Sequence, residues 1–307
     1  MNRRLVFSGI AFLSCFAVAA PLAPAASKKS SSSSSSSSKA SAAKKSEPVE
    51  AYPATDEGGT PTIHAASAVV IDAQTGKILF EHNADQLRPV ASTQKLVTSL
   101  IVAEEGNLDA NVPVEISDTW AEPSMLNIKP GEVYRRGDLL RVLLVKSMND
   151  VARCLARDNA GSIEAFAAKM NAKAAQLGMS NSHFINPNGL PMPGQYSCAR
   201  DMAKVAFAAY HNRTIRSIVC LKEITWHYPN GKTTVFHNTN RVLKNYALCN
   251  GMKTGYTEAA GHCLVSSASN GGGREVISVV LGDSQEVWMD SYRLLAWGLA
   301  GQGVAAN

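Results

Sequence analysis

Excess charge of one sign is missing from the body of this 307-residue sequence. Residues 1–50 hold seven Lys/Arg against two acids, and residues 51–307 hold the remaining 23 of each sign. The formal charge of +5 therefore belongs to the N-terminal segment, and a neutral body gives no reason to expect a nucleic-acid partner. Aromatic residues are few, at 7%, and charged residues modest, at 18%, against 45% apolar. That balance excludes collagen-like, disordered and multispan membrane chains. An apolar run of about 20 residues, the usual length of a membrane span, is also lacking. Nor do the six cysteines form a C-x-x-C or His-flanked pair, so no metal-binding spacing is present.

The N-terminus has Arg3 and Arg4, an apolar run from Leu5 to about Ala20, then Ala23-Pro24-Ala25. This is the pattern of an export signal over residues 1–25. A retained signal anchor or peripheral membrane association stays open; lipidation at Cys15 is disfavoured by the poor Phe12-Leu13-Ser14 approach. Residues 26–60 form a Ser/Lys-rich tether that includes nine consecutive serines, Ser30 to Ser38. So little apolar surface cannot repay the entropy of ordering the chain. Residues 61–301 are expected to be one folded domain, with 302–307 as a tail. Loss of the signal would leave five cysteines, an odd number for an exported protein. A Cys220–Cys249 disulfide is open but undetermined.

Within the domain, Ala66–Asp72 and Lys77–Glu81 flank a Gly76 turn and read as a hairpin. Apolar periodicity predicts a helix from Leu96 to a stop at Gly106. Further helices are predicted at 138–146, 150–159, 165–177 and 199–211, then strands at 233–237, 263–268 and 276–281, and a helix at 286–299. Strands at both ends with helices between them predict an α+β domain, with an antiparallel sheet from both chain ends, an inserted helical lobe and a cleft where they meet.

Ser92-Thr93-Gln94-Lys95 begins the first helix, placing Ser92 and Lys95 one turn apart on one face. A serine hydroxyl needs a base to act as a nucleophile, and an adjacent amine of lowered pKa can serve. The spacing alone says little, since the tether also contains Ser36-x-x-Lys39 and Ser41-x-x-Lys44. Ser147-Met148-Asn149 lies at a break between helices, where either polar residue could simply be an N-cap. Lys253-Thr254-Gly255, before Tyr256, could be an ordinary turn. In this order and spacing the three elements form the signature of penicillin-binding proteins and class A β-lactamases.

The chain resembles the serine-type D-alanyl-D-alanine carboxypeptidases, low-molecular-mass penicillin-binding proteins of the β-lactamase/transpeptidase-like superfamily. The likeness runs from about Ala65 to Gly301. It includes Arg88-Pro-Val-Ala-Ser92, Phe184-Ile-Asn-Pro-Asn-Gly-Leu190, Ala199-Arg-Asp-Met-Ala203, His237-Asn-Thr-Asn240, Gly261-His-Cys-Leu264 and Leu294-Leu-Ala-Trp-Gly298. The resemblance implies a peptidoglycan stem peptide as substrate, β-lactams as covalent inhibitors, a periplasmic or envelope location, and no metal or organic cofactor. It further implies Ser92 as nucleophile, Lys95 as general base and Ser147 as proton relay. Asn149 would hold the substrate amide, and Lys253 and Thr254 of the Lys253-Thr254-Gly255 element the terminal carboxylate. Backbone N–H groups of Ser92 and Tyr256 would bind the oxyanion.

Three departures stand out. Met148 occupies a position where glycine is common, and a side chain of that length is expected to narrow the cleft. Asn250 replaces a frequent aspartate. The segment Gly282–Asp290 lacks an arginine that assists carboxylate binding in some relatives. A DD-endopeptidase acting on cross-links is the nearest alternative, followed by a non-catalytic peptidoglycan-binding protein. A β-lactamase is disfavoured because the helical lobe shows no recognisable Glu-bearing deacylation loop.

Overall fold

A five-stranded sheet whose three inner strands are buried on both faces determines the architecture of this protein, seen in a computed structural model that describes residues 59–283 and 286–301. The expected signal, most of the tether and the 302–307 tail lie outside the described residues. The first strands, β1 (Ser67–Asp72) and β2 (Ile78–His82), form the predicted hairpin. Its turn is closed by Asp72, whose carboxylate accepts the Gln74 and Thr75 N–H groups.

The chain then builds the helical lobe. It comprises α1 (Lys95–Glu105), the short pair β3 (Asn111–Pro113) and β4 (Val133–Arg135), then α2 (Arg136–Lys146), α3 (Asn149–Ala160) and α4 (Ile163–Gln176). After these come α5 (Ala199–His211), α6 (Arg213–Val219), a second hairpin of β5 (Glu223–His227) and β6 (Thr233–His237), and α7 (Arg241–Asn245). The sheet is completed by β7 (Cys249–Thr257), β8 (Gly261–Ser269) and β9 (Glu275–Asp283), and α8 (Val287–Ala300) follows.

The sheet order is β2-β1-β9-β8-β7, with every neighbouring pair antiparallel. First and last strands thus meet at the centre, as the sequence predicts. Alternation along each strand sends side chains to two cores. Val69, Ile71, Val265, Ile277 and Val279 face the helical lobe. Ala68, Val70, Leu264, Val276 and Val280 pack with Leu294 and Leu295 of α8. Two covered faces explain why these strands read as continuous apolar runs, and each buried Val, Leu or Ile stabilises the fold by about 1.5–3 kcal/mol.

All five described cysteines carry free thiols, Cys220 and Cys249 included; Cys220 alone of them is exposed. No helix among the described residues is long and apolar enough to cross a membrane.

Candidate active site

Three separate segments converge on a cleft of about 980 Å³ between the lobe and the β7 side of the sheet. Ser92 lies in a one-turn 3-10 segment, Ala91–Gln94, that leads into α1, and Lys95 is the first α-helical residue. This tight entry brings Lys95 Nζ within 2.6 Å of Ser92 Oγ. Beneath the turn, the Gln94 side chain donates to the Asn186 carbonyl at 2.6 Å and fastens it to the Phe184–Leu190 loop. The same loop turns its Asn188 carbonyl inward, where it accepts from Lys95 at 2.5 Å and from the Ser92 hydroxyl at 3.2 Å.

Lys95 is fully buried. Its amine also donates to Asn149 Oδ1 at 2.7 Å, so all three of its hydrogen-bonding directions have acceptors. Burial pushes its pKa well below the ordinary lysine value, the Lys253 charge pushes in the same direction, and Asp150 opposes them. Asp150 is itself buried, and desolvation raises its pKa against the pull of its backbone donors. Those donors are the N–H groups of Leu126, Asn127, Ile128 and Val151. Asp150 thereby holds the loop that precedes β4 against the start of α3.

Ser147 ends α2 in the left-handed conformation at φ 69°, and Asn149 begins α3. Neither side chain is an N-cap. Asn149 accepts from Lys95 and donates to the Pro123 carbonyl at 2.6 Å, so both ends of its amide are engaged within the protein. Ser147 lines the cleft, and its hydroxyl has no hydrogen-bond partner among the described residues. Met148 does not narrow the cleft as expected: it is buried in the lobe core, because the break between helices turns it inward.

Lys253, Thr254 and Gly255 are not a turn but the middle of β7, paired with Val265, Leu264 and Cys263 of β8. Lys253 is buried and donates to the Thr254 carbonyl at 2.9 Å. Desolvation pulls its pKa down to about 7. Thr254 Oγ1 lies 2.7 Å from Thr239 Oγ1. Gly255 passes so close to the nucleophile turn that a Cβ there would stand 2.8 Å from the Ser92 nitrogen. Tyr256 is exposed at the rim, stacked on His262 with ring centroids 4.5 Å apart. Asn250 lies away from the cleft, bound to Ser267 Oγ at 2.6 Å and Tyr210 at 3.3 Å.

All eight sequence-predicted residues thus lie in or directly beneath one site, Lys95 and Lys253 being the two that do not line the cleft. Sequence reasoning assigned no role to the Asn188 carbonyl, to Thr239 or to Pro123. The only signals were the Phe184–Leu190 and His237–Asn240 segments as wholes, because backbone acceptors carry no residue-type signature. The arrangement can deprotonate a serine in a cleft wide enough for an extended peptide.

Residues 54–285 match the family described as D-alanyl-D-alanine carboxypeptidase. Over 242 residues the chain is 34% identical to the D-alanyl-D-alanine carboxypeptidase DacB2 of Mycobacterium tuberculosis, covering 77% of this chain and 82% of that protein. It is also 34% identical over 249 residues to a D-alanyl-D-alanine endopeptidase of Pseudomonas aeruginosa, covering 78% and 79%. The crystal structure of a Streptomyces DD-transpeptidase superposes with a TM-score of 0.73 at 30% identity, covering 78% of this chain and 98% of that one. Some relatives are longer, and the chain spans 58% of a Bacillus subtilis carboxypeptidase and 64% of an Escherichia coli one. With its fold, its three converging elements and these similarities in agreement, the chain belongs to the D-alanyl-D-alanine carboxypeptidase family of penicillin-binding serine peptidases.

Proposed function

We propose that this protein is a serine DD-carboxypeptidase that removes the terminal D-alanine of peptidoglycan stem peptides through an acyl-enzyme on Ser92. The observation that carries this reading is the 2.6 Å contact between Ser92 Oγ and the buried amine of Lys95, whose pKa is strongly lowered. Neutral Lys95 takes the hydroxyl proton as Ser92 Oγ attacks the carbonyl between the two D-alanines. Negative charge then develops on the carbonyl oxygen. The Ser92 and Tyr256 N–H groups stabilise it, and one such donor is worth about 10²–10³ in rate. Collapse of the tetrahedral intermediate breaks the C–N bond. Ser147, whose hydroxyl is free to turn towards the cleft, passes a proton from Lys95 to the departing amine. Water then attacks the acyl-enzyme by the same route and releases the shortened peptide. β-Lactams enter the same path and stop at the acyl-enzyme. No step calls for a metal or organic cofactor.

The N-terminal signal pattern supports export to the periplasm or cell envelope, with residues 26–60 as tether and membrane association through a retained signal as one form of attachment. Similarity to the Pseudomonas endopeptidase favours a second reading, hydrolysis of cross-links by the same residues. Incubation with a stem pentapeptide and with a cross-linked muropeptide, followed by mass analysis, tests both. Loss of one alanine is expected from the first, and Ser92→Ala should abolish this loss together with covalent penicillin labelling. Cleavage of the second alone would replace carboxypeptidase by endopeptidase. A penicilloyl adduct on Ser92→Ala would overturn the nucleophile assignment.

A further inference from the structure

A DD-carboxypeptidase cleft has to recognise a carboxylate, yet the lysine of the Lys253-Thr254-Gly255 element is poorly placed to do so. Lys253 is buried, its amine already donates to the Thr254 carbonyl, and it does not line the cleft. Its pKa of about 7 also leaves it uncharged in much of the population at neutral pH. Lys95 is likewise buried and has its three donors engaged. The segment Gly282–Asp290 contributes no arginine.

Arg241 differs on each count. It is exposed, it lines the same cleft as Ser92 and Thr254, and its guanidinium has neither a hydrogen bond nor an ion pair among the described residues. It is nevertheless not loose. The guanidinium carbon lies over the Trp288 ring, 5.4 Å from the centroid, and Trp288 lines the cleft too. A cation–π contact restrains a guanidinium while leaving its N–H groups free to pair with a carboxylate.

The backbone that carries Arg241 is pinned to β7. Asn240, immediately before it, is buried and donates to the Gly251 carbonyl at 3.0 Å, while its Oδ1 accepts from the Val242 and Leu243 N–H groups. Thr239 pairs with Thr254. The run 239–241 is therefore held along the Thr254 side of the cleft. The other lining Lys or Arg, Lys146, ends α2 next to Ser147 on the lobe side, and one acid, Glu258, is among the lining residues.

We propose that Arg241, held over Trp288, is the specificity-determining cation of this site and receives the free carboxylate of the amino acid that leaves. The assignment rests on the DD-peptidase reading above. It supplies from α7 the charge that the Gly282–Asp290 segment lacks, and it makes a free C-terminal acid the preferred substrate.

The test compares wild type, Arg241→Gln, Arg241→Lys and Lys146→Gln on three substrates. These are a peptide ending in D-Ala-D-Ala, its C-terminal amide, and an acyl-D-alanyl thioester whose leaving group has no carboxylate. Wild type should prefer acid to amide. Loss of a charge-assisted pair should lower kcat/KM for the acid by about tenfold or more. Arg241→Gln should therefore lose at least about tenfold more on the acid than on the thioester, and lose the preference for acid over amide. Arg241→Lys, which keeps the charge but not the planar fork, should fall between. Trp288→Leu should reproduce part of the loss through a raised KM. Equal losses on acid and thioester, or an acid preference that survives in Arg241→Gln or disappears in Lys146→Gln instead, would overturn the assignment while leaving the peptidase reading intact. A wild-type protein that turns over none of the three would overturn the peptidase reading, and this assignment with it.

Discussion

Replacing Gly255 with alanine tests whether the fit between β7 and the nucleophile turn is what makes the site competent. The added Cβ would stand 2.8 Å from the Ser92 nitrogen, 3.0 Å from the Thr93 nitrogen and 3.1 Å from Ala91 Cβ. All three neighbours are backbone or Cβ atoms, so none can swing aside. The strand must retreat by about half an ångström to one ångström to restore ordinary contact. That retreat moves the Tyr256 N–H away from the Ser92 N–H, and the oxyanion loses one well-placed donor. Displacements of about 1 Å, or removal of one such donor, each cost on the order of 10²-fold in rate. Overpacking costs stability too, about 1–3 kcal/mol. Gly255→Ala should therefore acylate with a fluorescent penicillin roughly 10²-fold more slowly than wild type, with a melting temperature lowered by a few degrees. Acylation within threefold of wild type would refute the claim that this contact sets the oxyanion geometry.

Two further outcomes follow from the buried lysines. Acylation needs neutral Lys95, so its rate should rise with pH and level off well below the ordinary lysine pKa; Lys253→Ala, by removing a like charge, should move that rise to higher pH, and an unmoved inflection would contradict the coupling. Stability should respond as well. Folded Lys253 titrates near 7 and the unfolded side chain near 10.5, so the unfolded chain binds more protons between those values and wild-type stability rises with pH across them. Lys253→Met should accordingly be more stable than wild type by a few kcal/mol at and below pH 7, the gain shrinking towards pH 10.5 in urea unfolding; a gain independent of pH would refute the desolvation account.

Legibility in the sequence followed the physics of burial. The helix 199–211 and the strand 233–237 coincide with α5 and β6: α5 has a clear buried face, and β6 is a short run rich in β-branched and aromatic residues. The Ser92–Lys95 pair was readable because a one-turn spacing survives whether the turn is 3-10 or α. β7 was hidden. Cys249-Asn-Gly-Met-Lys-Thr-Gly-Tyr-Thr257 has two glycines and little apolar alternation, since one stretch of it is the wall of the cleft rather than core. Met148 is illegible from its neighbours in the chain, because the left-handed turn at Ser147 redirects it into the lobe. Arg241 carries no local sequence signal, as its role depends on Trp288, 47 positions away by numbering.

The Asn188 carbonyl, which accepts from both Ser92 and Lys95, bears on how this enzyme should be dissected. Its contribution comes from main-chain oxygen, so exchanging the Asn188 side chain leaves the acceptor in place. That side chain serves the loop by accepting the Leu190 N–H at 3.1 Å. An alanine scan would score position 188 by the loosening of a loop and miss its hold on the nucleophile and base. The next residue exposes the constraint better: a Cβ on Gly189 would fall 2.1 Å from the Ala91 oxygen, so any side chain there pushes the loop off the nucleophile turn. Within this loop, mutational tolerance should therefore be lower at the glycine than at Asn188, one residue downstream of the atom that does the positioning.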